Sequence, residues 1–338
     1  MTRAAVAPAT GSVLRLLLAP RAQLLLKILA SAALVSWLAY ATDRQTLTDA
    51  LLGVDLARAL LAVLVLLALI GVQAWRWTFV AHALDISLPL GPAWVMTQIG
   101  AFFSQVLPTS IGGDAMRVWR LHRRDVRAGI ALASVFLDRM AALVATLVTV
   151  TLGLPWLLAW MDNDGLRAGI LTVVFGGASG VALVLFGDRI ALVSRLARRT
   201  LLARLLDLPA LARQVFLRPR AAVPAFALSM LMQGGVALSV WLLAWATHVD
   251  LRWTEALLLV PVVILLSMLP ITIAGWGVRE GAMVVLLGTV GVSSEEALAI
   301  SVLFGVAVAI AALPGGLLWL VTGGSSATHA PPRALDPV

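Results

Sequence analysis

Apolar residues along this chain fall in long unbroken runs rather than in the half-polar stripes of a water-soluble fold. Leu24 to Ala41, Leu56 to Trp75, Ala128 to Thr151, Gly169 to Phe186, Val223 to Ala246 and Ala297 to Val321 are each near the length of about 20 residues with which a helix crosses a bilayer. Each is predicted to be a full span. Two further apolar segments are interrupted. Gly91 to Leu107 carries Thr97, Gln98, Ser104 and Gln105, stops at Pro108, and resumes as a short piece from Asp114 to Leu121. Trp253 to Leu269 followed by Gly275 to Leu287 repeats that pattern. Neither half of either segment is long enough to cross alone, so each pair is predicted to be a re-entrant hairpin. Broken backbone at membrane depth is tolerated only against protein or beside a wet cavity.

The two interruptions are copies. Leu107-Pro108-Thr109-Ser110-Ile111-Gly112-Gly113-Asp114-Ala115-Met116-Arg117 returns as Leu269-Pro270-Ile271-Thr272-Ile273-Ala274-Gly275-Trp276-Gly277-Val278-Arg279, and one offset (270 − 108 = 162) aligns all eleven positions. A proline, several small residues and an arginine are each costly in a membrane helix. A break that recurs in the same form therefore marks a site. Three full spans separate the copies, and an odd number presents the second hairpin from the face opposite the first. That is the inverted-repeat arrangement in which paired broken helices meet near the midplane.

Composition agrees with the pattern. The 338 residues are 61% hydrophobic and 12% charged, with a mean hydropathy of +0.99, where a soluble domain carries roughly 25% charged residues. The expected fold is an all-α polytopic membrane protein, with residues 23–322 as one transmembrane domain. Residues 1–22 form a basic N-terminal segment, 187–220 an arginine-rich amphipathic linker on the leaflet surface, and 323–338 a tail whose Gly, Ser and Pro content predicts disorder. With the N-terminus in the cytoplasm, the arginine clusters 117–127 and 189–220 fall on the cytoplasmic side. Asp43–Asp55, Asp162, Asp164, Asp250, Glu255, Glu295 and Glu296 fall on the other. Both termini are then cytoplasmic. The net charge of +8 thus speaks for topology and anionic lipid, and not for nucleic acid.

Few residues are left to carry chemistry. Arg117 and Arg279 hold the same place in the two copies, and a guanidinium forks onto a phosphate with two parallel hydrogen bonds. Arg117 also reads as a member of the cytoplasmic basic cluster, and Arg279 as a partner of Glu280. Asp138 and Arg139 are the other charges at membrane depth. They read either as a structural pair, with Asp138 neutralising Arg279 or Arg139 neutralising Glu280, or as a phosphate contact with a counter-charge. Asp114 in the first copy stands where Trp276 stands in the second. Ser110, Gln105, Gln98, Ser104 and Thr272 could line a cavity or serve as glue between helices. Cysteine is absent, the four histidines lack metal-ligand spacing, and no nucleotide or hydrolase motif occurs. No cofactor, no metal and no enzymatic activity are expected.

Leu107-Pro108-x-Ser110-Ile111-Gly112-Gly113-Asp114-x-x-Arg117, Leu269-Pro270-x-x-x-x-Gly275-x-Gly277-x-Arg279-Glu280-Gly281 and Phe136-Leu137-Asp138-Arg139 together resemble the lysylphosphatidylglycerol synthase transmembrane-region family, also called the flippase-like domain family. This is the membrane half of multiple peptide resistance factor. The resemblance implies a bacterial inner-membrane protein that moves a lipid between leaflets. It does not carry over synthase activity, because the chain stops shortly after the last span. The expected site gathers Arg117, Arg139, Arg279, Asp138 and Glu280, with Asp114, Ser110, Gln105 and Trp276 beside them, around an anionic or zwitterionic lipid headgroup. An accessory protein that presents lipid to a partner synthase, and a lipid-modifying transferase, are the alternatives. A second copy of the chain or that synthase is the protein partner expected.

Overall fold

The computed structural model describes residues 53–107, 112–190, 208–268 and 277–323. The span expected at 24–41, the breaks at 108–111 and 269–276 with Ser110, Thr272 and Trp276, the middle of the linker at 191–207, and both terminal segments lie outside these residues. The described residues form ten α-helices and no strand.

Five helices are long. They are α1 (Leu56–Ala83), α4 (Ala128–Ala159), α5 (Asp164–Phe186), α7 (Pro219–Ala246) and α10 (Ser294–Gly323). Each contains an 18-residue window with mean hydropathy between 1.7 and 2.4, enough by length and composition to cross a membrane. Capping fixes several starts. The Asp55 carboxylate accepts from the N–H groups of Ala57 and Arg58, the Asn163 side chain accepts from Leu166 N–H, and Pro219 opens α7 where a missing N–H costs nothing. The remaining helices are short: α2 (Leu90–Val106), α3 (Gly112–His122), α6 (Leu208–Phe216), α8 (Trp253–Ser267) and α9 (Val278–Gly288). At 1.5 Å per residue, α2, the longest of them, spans about 26 Å and α3 about 17 Å, against a hydrocarbon core of about 30 Å. The protein is a polytopic helical membrane protein.

Helix bounds recur along the chain. The starts of α1 and α2 return in α7 and α8 after 163 residues (219 − 56, 253 − 90), and those of α3 and α4 return in α9 and α10 after 166 (278 − 112, 294 − 128). Packing recurs as well. The contacts α1·α2, α2·α3, α3·α4 and α1·α4 have counterparts in α7·α8, α8·α9, α9·α10 and α7·α10. Across the halves, α2 packs on α10 as α8 packs on α4, and α1 on α10 as α7 on α4. Among the described residues, α5 and α6 have no counterpart. The two lead helices, α1 and α7, form the most extensive pair and run antiparallel. Asp55 N–H at the start of α1 donates to Ala246 O at the end of α7 (2.9 Å), while Arg76 late in α1 reaches Ser229 early in α7 (3.2 Å).

Without a hydrophobic drive between helices inside lipid, close approach must come from shape. Leu69 of α1 packs over Gly235 of α7, Leu258 of α8 over Gly153 of α4, and Phe102 of α2 over Gly316 of α10. At one end of the bundle, Gln214 of α6 donates to Ala83 O (2.6 Å) and Arg213 to Leu185 O (2.7 Å). The linker was expected to lie on a leaflet. Its described part instead buries Pro209, Ala212 and Val215 in the bundle, because these three apolar residues share one face of α6 and meet α1, α4, α5 and α7. Arg213 also donates to both carboxylate oxygens of Asp188, in the 3-10 turn after α5 (2.9 and 2.8 Å).

The closest approach in the first hairpin is between α2 and α3. A Cβ on Gly113 would collide with the Gly100 carbonyl and Ser104 Oγ, whereas one on Gly234 of α7 would meet nothing. Gly113→Ala is expected to destabilise the purified protein by about 1–3 kcal/mol, as overpacking does, and Gly234→Ala to be tolerated. Thermal unfolding in detergent checks both.

Candidate functional site

The double glycine of the first motif lets α3 lie against α2, and that contact aims Arg117 inward. On α3 the buried positions Gly113, Arg117 and Leu121 recur every fourth residue, a single helical stripe. Arg117 is only 2% exposed and therefore does not belong to the solvated basic cluster that follows it. Its Nη2 donates to Asp138 Oδ2 of α4 (2.8 Å), and its guanidinium carbon lies 4.1 Å from the Trp77 ring centroid. Asp138 is fully buried. Its other oxygen accepts from Arg76 Nε of α1 at 2.8 Å. Arg76 in turn donates to Ser229 Oγ of α7 (3.2 Å), and Trp77 Nε1 donates to Ser134 Oγ (3.4 Å).

The network continues on the other side of Arg117. Asp114, one helical turn earlier, lies 3.5 Å from Arg117 Nη1 and accepts from Arg139 Nε (2.9 Å) and Nη2 (3.1 Å). The charges therefore alternate as Arg76, Asp138, Arg117, Asp114, Arg139, beginning and ending on a cation. Three guanidiniums face two carboxylates, a net charge of +1. Arg117 Nε and Nη1 are buried without a hydrogen-bond partner. Such donors are costly to leave unmet, and an anionic oxygen would satisfy both them and the surplus charge.

The second copy closes differently. Glu280, in the first turn of α9, folds back to accept from Gly277 N–H and pairs with Arg279 of the same turn. Arg279 Nε also donates to Ser301 Oγ of α10 (3.4 Å), and its guanidinium carbon lies 5.7 Å from the Phe304 ring centroid. At the offset of 166 that relates α4 to α10, Asp138 corresponds to Phe304. The second half thus has an aromatic ring where the first has the buried acid, and Glu280 supplies the negative charge instead.

Several expectations are corrected here. The structure sorts six expected charges into two clusters, Arg117, Asp138, Asp114 and Arg139 in one and Arg279 with Glu280 in the other. Asp138 neutralises Arg76 and Arg117, not Arg279. Arg139 neutralises Asp114, not Glu280. Adjacent Arg279 and Glu280 do meet, because capping bends Glu280 back at the helix start. Gln105 is exposed at the end of α2, and Gln98 donates to Ala311 O of α10 (2.8 Å), a bond between helices. Arg76 lies in a Trp75-Arg76-Trp77 triplet, the composition of an interfacial cluster, yet Arg76 and Trp77 are buried while Trp75 is exposed. The signal for Arg76 was its register, since Ala62, Leu66, Leu69, Arg76 and Val80 fall on one side of α1.

Ten helices, five of them long enough to cross a bilayer, and a charged network within them define an integral membrane protein with a polar centre. Residues 24–316 match the family model described as the lysylphosphatidylglycerol synthase TM region, and the chain belongs to that family. No curated protein matches the chain.

Removing one partner of a buried ion pair strands the others, at about 3–5 kcal/mol. Asp138→Asn, which leaves Arg76 and Arg117 without their shared counter-charge, is expected to lower stability by that order. Arg139→Gln breaks a half-exposed pair and is expected to cost about 1 kcal/mol or less. Denaturation of both variants in matched micelles measures the contrast, and equal losses would count against the alternating network.

Proposed function

We propose that this protein carries a lipid with an anionic or zwitterionic headgroup from one leaflet to the other, making and breaking no covalent bond. The observation that supports this best is the buried Arg117, whose Nε and Nη1 have no hydrogen-bond partner, with Nη1 3.5 Å from Asp114, inside a network of net positive charge. A headgroup phosphate would accept from these donors and meet the surplus charge. Its acyl chains would remain in the bilayer beside the half-exposed Arg139.

We read the recurrence of helix bounds and contacts as an inverted repeat, with α2–α3 and α8–α9 as re-entrant hairpins from opposite faces. Antiparallel α1 and α7, the lead helices of the two halves, favour this reading. Charge distribution gives the orientation. Arg123, Arg124, Arg127, Arg218 and Arg220 gather at one end. Asp55, Asp162, Asp164, Asp250, Glu255, Glu295 and Glu296 gather at the other. By the positive-inside rule, this distribution supports reading the arginine end as the cytoplasmic end in a bacterial inner membrane.

The test is movement of a fluorescent phospholipid across proteoliposome membranes, read by chemical quenching of the outer leaflet. Arg139→Gln is expected to slow translocation about tenfold, the loss of one charge-assisted contact. Arg167→Gln, in an exposed pair at the acidic end, is expected to leave the rate unchanged. Wild-type transport by Arg139→Gln would remove the site. Native protein that binds the lipid but never moves it would instead favour presentation to a partner synthase.

A further inference from the structure

The internal repeat provides a control within the molecule. What both copies share serves the fold, and what one copy adds is not required by the fold. Two pairs of turns show this. The turn after α1 contains Asp85 (φ +59°) and that after α7 His248 (φ +61°), with Ile86 N–H donating to Ala81 O and Val249 N–H to Ala244 O in the same pattern. The turn after α3 contains Asp125 (φ +65°) and that after α9 Gly291 (φ +89°). At the offset of 166, Arg124, Asp125 and Arg127 correspond to Val290, Gly291 and Ser293. The left-handed turn therefore needs none of the three charges, and glycine adopts it at less cost than aspartate.

In the first copy these two turns line one cavity of about 610 Å³. Asp85, Arg124, Asp125 and Arg127 line it together with apolar residues that include Ile86 and Leu121. None of the four charges belongs to an ion pair among the described residues. Two cations and two anions thus line one hollow without neutralising each other, beside apolar residues at the arginine-rich end of the bundle. A purely anionic ligand would meet two carboxylates there, and a purely cationic one two guanidiniums. A ligand with both charges a few bonds apart meets neither conflict.

We propose that this rim cavity binds a zwitterionic phosphoester head, its phosphate held by Arg124 and Arg127 and its ammonium by Asp85 and Asp125. The apolar part of the lining and the position at the bundle end favour a phospholipid as the source. The assignment deepens the lipid-handling reading above and rests on it for that source. Its test measures binding rather than transport, so a failure of either reading is seen separately.

The full chain in micelles is titrated calorimetrically with dihexanoyl phosphatidylethanolamine, dihexanoyl phosphatidylglycerol and glycerophosphoethanolamine. The ethanolamine lipid is expected to bind about fivefold tighter than the glycerol lipid, the scale of two exposed charge contacts. Asp85→Asn with Asp125→Gly is expected to abolish that preference. Asp125→Gly is chosen because Gly291 already fills the equivalent turn, and an unchanged melting temperature verifies the fold. Arg124→Gln with Arg127→Gln is expected to weaken both lipids severalfold. Equal affinity of the native chain for the two lipids would overturn the proposal, as would a preference that survives the aspartate substitutions. Binding of glycerophosphoethanolamine as tight as that of the lipid would overturn the lipid source.

Discussion

One carboxylate shared by two guanidiniums sets the arrangement of the first half of this protein. Asp138 sits where an unpaired charge would cost at least a few kcal/mol, and each of its oxygens accepts from a different arginine at 2.8 Å. Those arginines come from α1 and α3, and Arg76 extends the contact to Ser229 of α7. Four helices are thereby tied to one buried acid on α4. Packing alone gives such helices little reason to choose a register, because lipid is as apolar as leucine. The charge network supplies it. It also decides where α3 must dock.

The second half shows what the same scaffold does without that acid. Phe304 stands at the counterpart of Asp138, and Arg279 bonds Ser301 and takes its negative partner from Glu280 in its own helical turn. The pair is local, and Glu280 also caps Gly277. The first network instead spans separate helices and ends on a cation at each side. The two copies share an arginine, a glycine-rich break and a helix start, but distribute charge differently. Asymmetry of this kind suits a carrier whose two faces do different work, since a ligand held equally at every stage would gain nothing by moving.

Much of this architecture was legible in the sequence because bilayer length is a blunt constraint. Apolar runs of about 20 residues had to be spans, and 17 residues ending at a proline could not be. Among the described residues the five long helices follow the expected spans, with α1 running on to Ala83 past the expected end at Trp75. The importance of Asp138 and of the motif arginines was also visible, from the cost of placing charge there. Their pairing was not. Partner choice depends on the exchange of contacts between halves, α2 on α10 and α8 on α4, which no local pattern records. Arg76 was missed because a Trp-Arg-Trp triplet near a helix end has the composition of a membrane-interface belt. Only its register on the buried face of α1 separates the two meanings. The described part of the arginine-rich linker misled in the opposite sense. An amphipathic face specifies burial without specifying whether lipid or protein does the burying.

The two polar features of the first half are joined by α3. Leu121 forms part of the lining of the rim cavity, and Arg117, one turn earlier on the same face, lies in the buried network. At 1.5 Å per residue the two are about 6 Å apart along the helix, comparable to the reach of an arginine side chain. A charged head leaving water loses solvation steeply over such a distance, and a single deep site would face that whole loss in one step. Exposed charges of both signs at the rim, followed by unmet donors and a surplus positive charge one turn deeper, divide it. At the rim the ammonium has carboxylates to meet. In the network the phosphate has guanidinium groups, while Asp114 is the least buried acid there and so the one placed to face the ammonium. The second copy keeps the backbone of the outer turns without these charges, so the charges of the rim and of the buried network belong to one half of the repeat.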